Sequence, residues 1–325
     1  MGNPLSYVRQ PAAGSRRNAA VVSILMPTYD RLQFLPATID SVFAQTLDDW
    51  ELIVADDGSG ADTRAYLSSL TDPRVTVLWL PHSGKPAVVL NAALRVARGD
   101  YVAFLDSDDI WLPRKLQSQV ASLRRHPQRR WSCTAFSLVD AAGDPLAGRE
   151  AWSPAASGWV RERLLTDAVV AMPSVMAARS LLEQVGPLDE ELVMCYDDEL
   201  WLRLAATSEL DGVDEPLTLV RRHALHGGND IIAWRDRRRV VEKALRVDRD
   251  PHFTAILREQ RAVMSAGLAR SHALYGKRSD ALRTLVTSVH YSWRYRRWWS
   301  GAWHAAARSL APRALQGLVR RGLRA

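Results

Sequence analysis

The sequence predicts an α/β protein: a mostly parallel sheet flanked by helices, followed by a helical C-terminal extension. Three observations lead there. Short, uninterrupted apolar runs alternate four times with segments of helical periodicity between Val21 and Arg125. Such runs suit strands buried on both faces, as in a parallel sheet sandwiched by helices. Three of the runs end on polar clusters, and beyond Ile231 the pattern is wholly helical.

The elements follow in order. Val21–Met26 is the first strand, and Leu35, Ile39, Val42 and Phe43 then recur at helical spacing, with Pro36 suited to a first helical turn. Glu51–Ala55 is the second strand, Asp62–Leu70 a helix and Arg74–Trp79 the third strand. Pro86–Arg98 reads as a helix closed by Gly99, Tyr101–Leu105 as the fourth strand and Pro113–Arg125 as a helix. From Trp131 to Arg222 the pattern is mixed. Short strands are expected at Ser132–Val139, Ser174–Ala177 and Leu217–Arg221, and a helix over Glu199–Ala206. This organisation divides into a loose arm over 1–20, an α/β body over 21–230 and a helical extension over 231–325. In open parallel sheets, ligands bind beyond the carboxyl ends of the strands. That rule gathers Pro27-Thr28-Tyr29-Asp30, Asp56-Asp57-Gly58-Ser59 and Asp106-Ser107-Asp108-Asp109 onto one edge.

Composition narrows the class. With 47% hydrophobic and 24% charged residues, the chain can bury a sizeable core. Its two cysteines, Cys133 and Cys195, form no C-x-x-C pair, which argues against a disulfide framework and structural zinc. They fit a reducing compartment. Residues 1–20 lack the apolar run of a signal peptide, and no window approaches the roughly 20 apolar residues of a spanning helix. A cytoplasmic location is expected. The net charge of +7 is unevenly placed: residues 281–325 hold nine arginines and no acid, which leaves −2 for residues 1–280. A near-neutral body with a basic, tryptophan-rich tail suggests a membrane surface rather than nucleic acid.

Three constellations could carry chemistry. Asp106-x-Asp108, with Asp109 beside it, places carboxylates at the mouth of a buried strand, where a hard divalent cation is the natural partner. Its plainer reading is a solvated turn and helix cap. Asp56-Asp57-Gly58-Ser59 is either a turn or a carboxylate that accepts from a nucleobase imide N–H. Gly58-x-Gly60-x-x-Thr63 only partly mimics a dinucleotide fingerprint, and the acids before it would repel a pyrophosphate. Asp197-Asp198-Glu199 is either an acidic first helical turn or the source of a general base.

In order and spacing these segments resemble the family-2 glycosyltransferases with the GT-A fold. The resemblance rests on Val22-Ser-Ile-Leu-Met-Pro27-Thr-Tyr29-Asp-Arg31, Ser41-Val-Phe-Ala-Gln45-Thr46, Asp56-Asp-Gly-Ser59 and Asn91. It continues through Gly99-Asp-Tyr-Val-Ala-Phe-Leu-Asp106-Ser-Asp108-Asp109, Val185-Gly-Pro-Leu-Asp189-Glu190 and Asp197-Asp-Glu-Leu-Trp-Leu-Arg203, and covers about 21–230. It implies a Rossmann-like, GT-A-type sheet and an inverting transfer from a nucleoside-diphosphate sugar, UDP- or dTDP-linked donors being favoured. By the same resemblance Tyr29 stacks on the base, Asp57 binds its imide edge, and Pro27, Thr28 and Asp30 shape the nucleoside pocket. Asp106 lies near the ribose, Asp108 binds Mg²⁺ or Mn²⁺, and Asn91 belongs to the donor site. Asp197 is the general base, with Asp198 as fallback, because Tyr196 stands where the family has an acid. His223 closes over the diphosphate, with His226 or Asn229 as alternatives. Where the family has Ala-Arg before Asn91, this chain has Val89-Leu90, so Lys85 is the candidate replacement cation.

The tail interleaves Trp293, Trp298, Trp299 and Trp303 with Arg294, Arg296 and Arg297, and then sets Leu310, Leu315, Leu318 and Val319 among Arg313, Arg320 and Arg321. It reads either as a helical cap or as an interfacial helix pair on anionic lipid, which would suit a saccharide or lipid-linked acceptor in envelope polysaccharide assembly and a peripheral position on the inner membrane face. No nucleic-acid motif accompanies the charge. Two rivals remain. A nucleotidylyltransferase would need a glycine-rich basic loop after the first strand, which Pro27–Asp30 does not supply. A non-catalytic scaffold that keeps the fold is the other.

Overall fold

The computed structural model describes residues 20–146, 157–166, 170–223 and 230–310. The arm over 1–19, His226, Asn229 and the segment from Leu315 to Arg321 lie outside them. The chain divides into two compact units, Met1–His226 and Gly227–Ala325.

The first unit opens with β1 (Val22–Thr28), α1 (Leu35–Phe43), β2 (Trp50–Asp56), α2 (Ala61–Ser69), β3 (Val75–Trp79), α3 (Pro86–Val96) and β4 (Tyr101–Phe104). There follow β5 (Ile110–Trp111), α4 (Lys115–Arg125), β6 (Trp131–Val139), the short α5 (Arg163–Thr166), a 3₁₀ turn at Met172–Ser174 and β7 (Val175–Ala178). It closes with α6 (Arg179–Val185), α7 (Tyr196–Thr207) and β8 (Leu210–Arg221). The eight strands form one sheet in the order β3-β2-β1-β4-β7-β6-β8-β5. The β3-β2-β1-β4 half is parallel, β7 is antiparallel to both β4 and β6, and β6 and β8 run parallel.

Strand alternation sorts the core into two layers. Val22, Ile24 and Met26 of β1 join α1, α2 and α4 on one face. Leu25, in the opposite phase, joins α3, α6 and α7, where Trp201 meets Phe104 and Trp131. Every residue of β2 is buried. The expected α/β fold with a mostly parallel sheet is therefore present, and its second half is more mixed than the first. α6 and β5 had no sequence signal strong enough to assign, and β8 begins at Leu210, seven residues before the expected Leu217. Asp211, Asp214 and Glu215 interrupt the apolar pattern there, and the β6–β8 register shifts around Ala135.

Near the amino ends of the strands, buried Glu51 accepts from Ser23 Oγ at 2.7 Å and from the Arg98 backbone N–H at 2.7 Å, and pairs with the Arg98 guanidinium at 2.8 Å. Gly99 donates its N–H to Ser23 Oγ at 2.8 Å. A Cβ at Gly99 would lie 2.5 Å from Ser23 N and 2.8 Å from Val22 C, both backbone atoms that cannot give way. This one contact sets the entry of β4 beside β1.

The second unit comprises α8 (Asp230–Val247), α9 (Pro251–Leu274), α10 (Arg278–Ser292) and α11 (Arg296–Leu310). α9 is central, capped by Asp250, and packs against the other three. Among the described residues no helix is long and apolar enough to cross a membrane. Gly99→Ala is expected to cost about 2 kcal/mol or more of the stability of the α/β unit, read as a lower urea midpoint with an unchanged slope.

Candidate active site

Parallel register aligns the strand ends. Thr28 pairs with Asp56 and Asp56 with Trp79, while the Leu105 N–H donates to Leu25 O at 3.0 Å. Tyr29, Asp57, Leu80 and Asp106 thus leave the sheet along one edge, and two neighbouring groups form there.

The first group surrounds Asp57. Its carboxylate accepts from Ser83 N and Ser83 Oγ, each at 2.8 Å, and from Gly84 N at 2.9 Å. His82 Nδ1 lies 2.8 Å from Asp57 O and 3.1 Å from its Oδ2. The His82 ring stacks on Tyr29 with centroids 4.2 Å apart. Asp30 holds a left-handed backbone (φ 47°), accepts from Gly60 N at 2.8 Å and donates its own N–H to Ser59 Oγ at 2.9 Å. Thr28 is buried in the phase of Ile24 and Met26, and half-buried Pro27 follows the phase of Leu25. Buried Asp56 accepts from Ser59 N at 3.1 Å, which closes the Asp-Asp-Gly-Ser turn.

The second group is carboxylate-rich. Asp106, Asp108 and Asp197 interact electrostatically, and Asp109 adds a fourth acid. Burial first, then the charges of Asp108 and Asp197, push the Asp106 carboxyl up to about 8. Burial, with Asp106 and Asp108 as neighbours, also holds Asp109 well above the usual carboxylate range, although the Arg221 N–H donates to it at 2.8 Å. The Tyr196 hydroxyl is raised by burial and then by Asp106, Asp197 and Asp108. Against these acids stand His223, whose Nε2 is 3.1 Å from Asp108 Oδ2, and Arg31, whose Nε is 3.8 Å from the same oxygen. Arg221 donates to Asp108 O at 2.7 Å. The His223 ring stacks on Phe34 at 4.5 Å, and the Arg221 guanidinium lies 5.2 Å from that ring, so one phenyl group seats both side chains.

The acids that open α7 divide by burial. Glu199 is buried and bonded to Arg203 at 2.6 Å; Asp198 is exposed; Asp197 is half-buried and faces the Asp106 field. Arg203 also donates to the carbonyls of Val185, Gly186 and Pro187, so it ties α7 to the turn that follows α6. Cys195, just before α7, is the second non-glycine residue with positive φ (59°) among the described residues, and like Asp30 it adjoins an acidic cluster.

Asn91 and Lys85 stand somewhat apart. The Asn91 amide donates to Leu188 O and Glu190 Oε1 and accepts from Leu188 N, all within 2.8–2.9 Å. Lys85 Nζ donates to Glu190 O at 3.1 Å. Both therefore hold the Leu188–Glu190 turn against α3. Sequence reasoning gave no role to Arg31, His82 or Arg221. A polar residue at or soon after a strand end was the available signal, since Arg221 closes β8 and His82 lies three residues past β3.

The Asp106 carboxyl has a consequence for stability. A raised folded-state pKa means that the native protein binds a proton the unfolded chain has already lost between about pH 4 and pH 8. Stability from this group is complete below that window and is lost as pH rises through it. Asp106→Asn should therefore raise the Tm of the metal-free protein at the alkaline end of the window and leave it nearly unchanged at the acid end.

Comparisons with known proteins bear on this geometry. Residues 23–130 match the model described as Glycosyl transferase family 2. A β-1,3-glucosyltransferase of Escherichia coli, WfgD, named as acting between UDP-Glc and α-D-GlcNAc-diphosphoundecaprenol, is 40% identical over 106 residues, 33% of this chain and 42% of that protein. The chain thus spans less than half the length of that relative. TuaG of Bacillus subtilis, a protein assigned to teichuronic acid biosynthesis, is 32% identical over 187 residues, 57% of this chain and 71% of TuaG. In three dimensions, Staphylococcus aureus TarS 1-349 with UDP-GlcNAc superposes with a TM-score of 0.65 at 16% identity, covering 93% of this chain and 91% of that one. Its likeness speaks for the fold alone. With sheet topology, edge motifs and these relatives in agreement, the chain belongs to glycosyltransferase family 2 and has the GT-A type of fold.

Proposed function

We propose that this protein is an inverting, metal-assisted hexosyltransferase that moves a sugar from a UDP- or dTDP-linked donor to the hydroxyl of a lipid-linked saccharide at a membrane surface. The observation that carries this reading is the crowding of Asp106, Asp108 and Asp197 at the sheet edge, with Asp106 pushed up to about 8. Acids that raise one another's protonation in this way, at the end of a buried strand, call for a cation.

The donor set fits a divalent ion. Asp108, assisted by Asp106, presents hard oxygen ligands, and His223 lies on the same Asp108 oxygen. Among the described residues no group of three or more such side chains is arranged to hold a metal by itself. Mg²⁺ and Mn²⁺ sites of this type use one or two carboxylates and complete their shell with water and substrate phosphate. When bound, the ion supplies charge neutralisation for the departing diphosphate.

The chain's own residues do the rest. Tyr29 offers a ring face to the base and Asp57 a carboxylate to its imide. His82, which stacks on Tyr29 and touches Asp57, has to turn aside for the base to settle there. Pro27, Thr28 and Asp30 shape the nucleoside side of the edge. Arg31 and His223, both within 4 Å of Asp108, are placed to offset phosphate charge. Lys85 and Asn91 act through the turn they hold. Asp197 takes the proton of the acceptor hydroxyl, whose oxygen attacks the anomeric carbon as the bond to the diphosphate breaks and its electrons leave with that group. A single displacement inverts the anomeric configuration. The burial order of the α7 acids supports Asp197 over its neighbours, since Glu199 is bonded to Arg203 and Asp198 faces solvent. The UDP-Glc and undecaprenol-linked substrates in the name of the E. coli relative support both the donor class and the lipid-linked acceptor.

Calorimetry with UDP, dTDP, GDP and ADP, each with and without Mn²⁺, tests the reading. Metal-dependent binding of UDP or dTDP is expected, and a folded protein that binds none of the four would leave only the scaffold alternative. Asp108→Ala should weaken metal-dependent nucleotide binding about tenfold or more. Asp197→Asn should leave that binding near normal and lower transfer by about 10²-fold or more. Full transfer by Asp197→Asn together with its loss in Asp198→Asn would move the base by one residue.

A further inference from the structure

Helix α11 has two unlike faces. Its inner face is buried through Trp298, Ala302 and Ala305, which pack within the helical unit, and a Cβ at Gly301 would come 2.9 Å from the Ala266 Cβ of α9. Helical steps of three to seven residues lead along the other side from Arg296 through Trp299 and Trp303 to Leu310. Trp299, Trp303 and Leu310 are 53%, 73% and 69% exposed. Helix α10 repeats the pattern. Thr284, Ser288 and Ser292 face inward, and exposed Val286 and Val289 lead at helical spacing to Trp293 just past its end. The two stripes join where Trp299 Nε1 donates to the backbone carbonyl of Trp293 at 2.8 Å, a bond that fixes the Trp299 indole relative to the end of α10.

Apart from Asp280 in the first turn of α10, the charge on α10 and α11 has one sign. Arg283, Arg294, Arg296 and Arg297 are exposed around the stripes, the Arg294 guanidinium lies 5.1 Å from the Trp293 ring centre, and residues 281–325 contain no acid. Isolated exposed apolar side chains are ordinary; several indoles and aliphatics on adjoining stripes, rimmed by arginine alone, are not. Two copies set face to face would oppose arginine with arginine and offer only Asp280, at the far end of α10 from the indoles, to offset them. A nucleic acid would use the arginines and indoles but give Val286, Val289 and Leu310 nothing to do. A bilayer of anionic lipid uses all of them: indoles and aliphatics enter the boundary between headgroup and acyl chain, and guanidinium groups meet phosphates.

We propose that the α10–α11 surface is a membrane-docking face, with Trp299, Trp303 and Leu310 entering an anionic lipid bilayer and Arg294, Arg296 and Arg297 engaging its headgroups. This gives residues to the membrane setting proposed above and rests on that setting for its purpose, while its test reads lipid binding without any transfer. The full chain is sedimented with vesicles of phosphatidylcholine alone or of phosphatidylcholine mixed equally with phosphatidylglycerol, and nucleotide binding is measured on the same preparations. Binding to the anionic vesicles that weakens with added salt is expected. The double variant Trp303→Ser with Leu310→Ser, both at exposed positions, should lose about tenfold or more in vesicle partitioning. Arg296→Gln with Arg297→Gln should lose most of the preference for phosphatidylglycerol, and both variants should bind nucleotide as the parent does. The proposal is overturned if the parent ignores anionic vesicles, if the tryptophan and leucine variant binds them as well as the parent, or if what the variants lose instead is self-association or RNA binding.

Discussion

A strand buried on both faces takes a polar side chain along its length only where a partner meets it, as Ser23 and Glu51 meet each other, and most of its polar chemistry has to wait for its end. β1 and β2 are of this kind, and the parallel register that pairs Thr28 with Asp56 and brings Leu105 onto Leu25 lines their ends up. Tyr29, Asp57 and Asp106 are neighbours for that reason, though they lie far apart in sequence. The close seat of Gly99 on the start of β1, with Glu51 bridging Ser23 and Arg98, holds the other end of the same alignment. A shift of β4 by one residue would move the Asp106–Asp109 cluster away from Tyr29 and Asp57 together.

The cost of gathering acids at this edge shows in their ionisation. Asp106, Asp109 and Tyr196 all hold their protons more tightly than usual, chiefly through burial and then through one another. The protein offsets part of this with Arg221 and His223, which share the Phe34 ring, and with Arg31. Burial is the larger cause, so Asp106 stays near 8 in the presence of these groups.

Motif residues are of two kinds here. Arg203 and Glu199 bond to each other and to the turn at Val185–Pro187, and Asn91 saturates its amide on Leu188 and Glu190; these residues place α7 and α3. Asp197, two residues before Glu199, lies on the helix that this anchor ties down. The helical unit follows a similar logic: small residues at Ala262, Ala266 and Gly301 let α11 sit close on α9, which turns its second apolar stripe outward.

Much of this could be read from local pattern. Continuous apolar runs marked β1, β2 and β4, helical spacing marked α1 and α3, and the polar residues that stop each run marked the functional edge; the Asp56-Asp57-Gly58-Ser59 and Asp106–Asp109 clusters needed no coordinates to be noticed. Periodicity is a property of neighbours in sequence, and there the sequence alone decided the matter. It could not show that β8 starts at Leu210, because Asp211, Asp214 and Glu215 break its pattern and only pairing with β6 makes that stretch a strand. Nor could it show that β7 runs antiparallel between β4 and β6, that Phe34 seats both His223 and Arg221, or that His82 folds back onto Tyr29 and Asp57. Of the three acids in one helical turn, the resemblance singled out Asp197 with Asp198 as fallback, but only packing shows that Glu199 is buried, Asp198 exposed and Asp197 within the electrostatic reach of Asp106. These are contacts between residues 25 to more than 180 positions apart, and only the folded chain decides which of them meet.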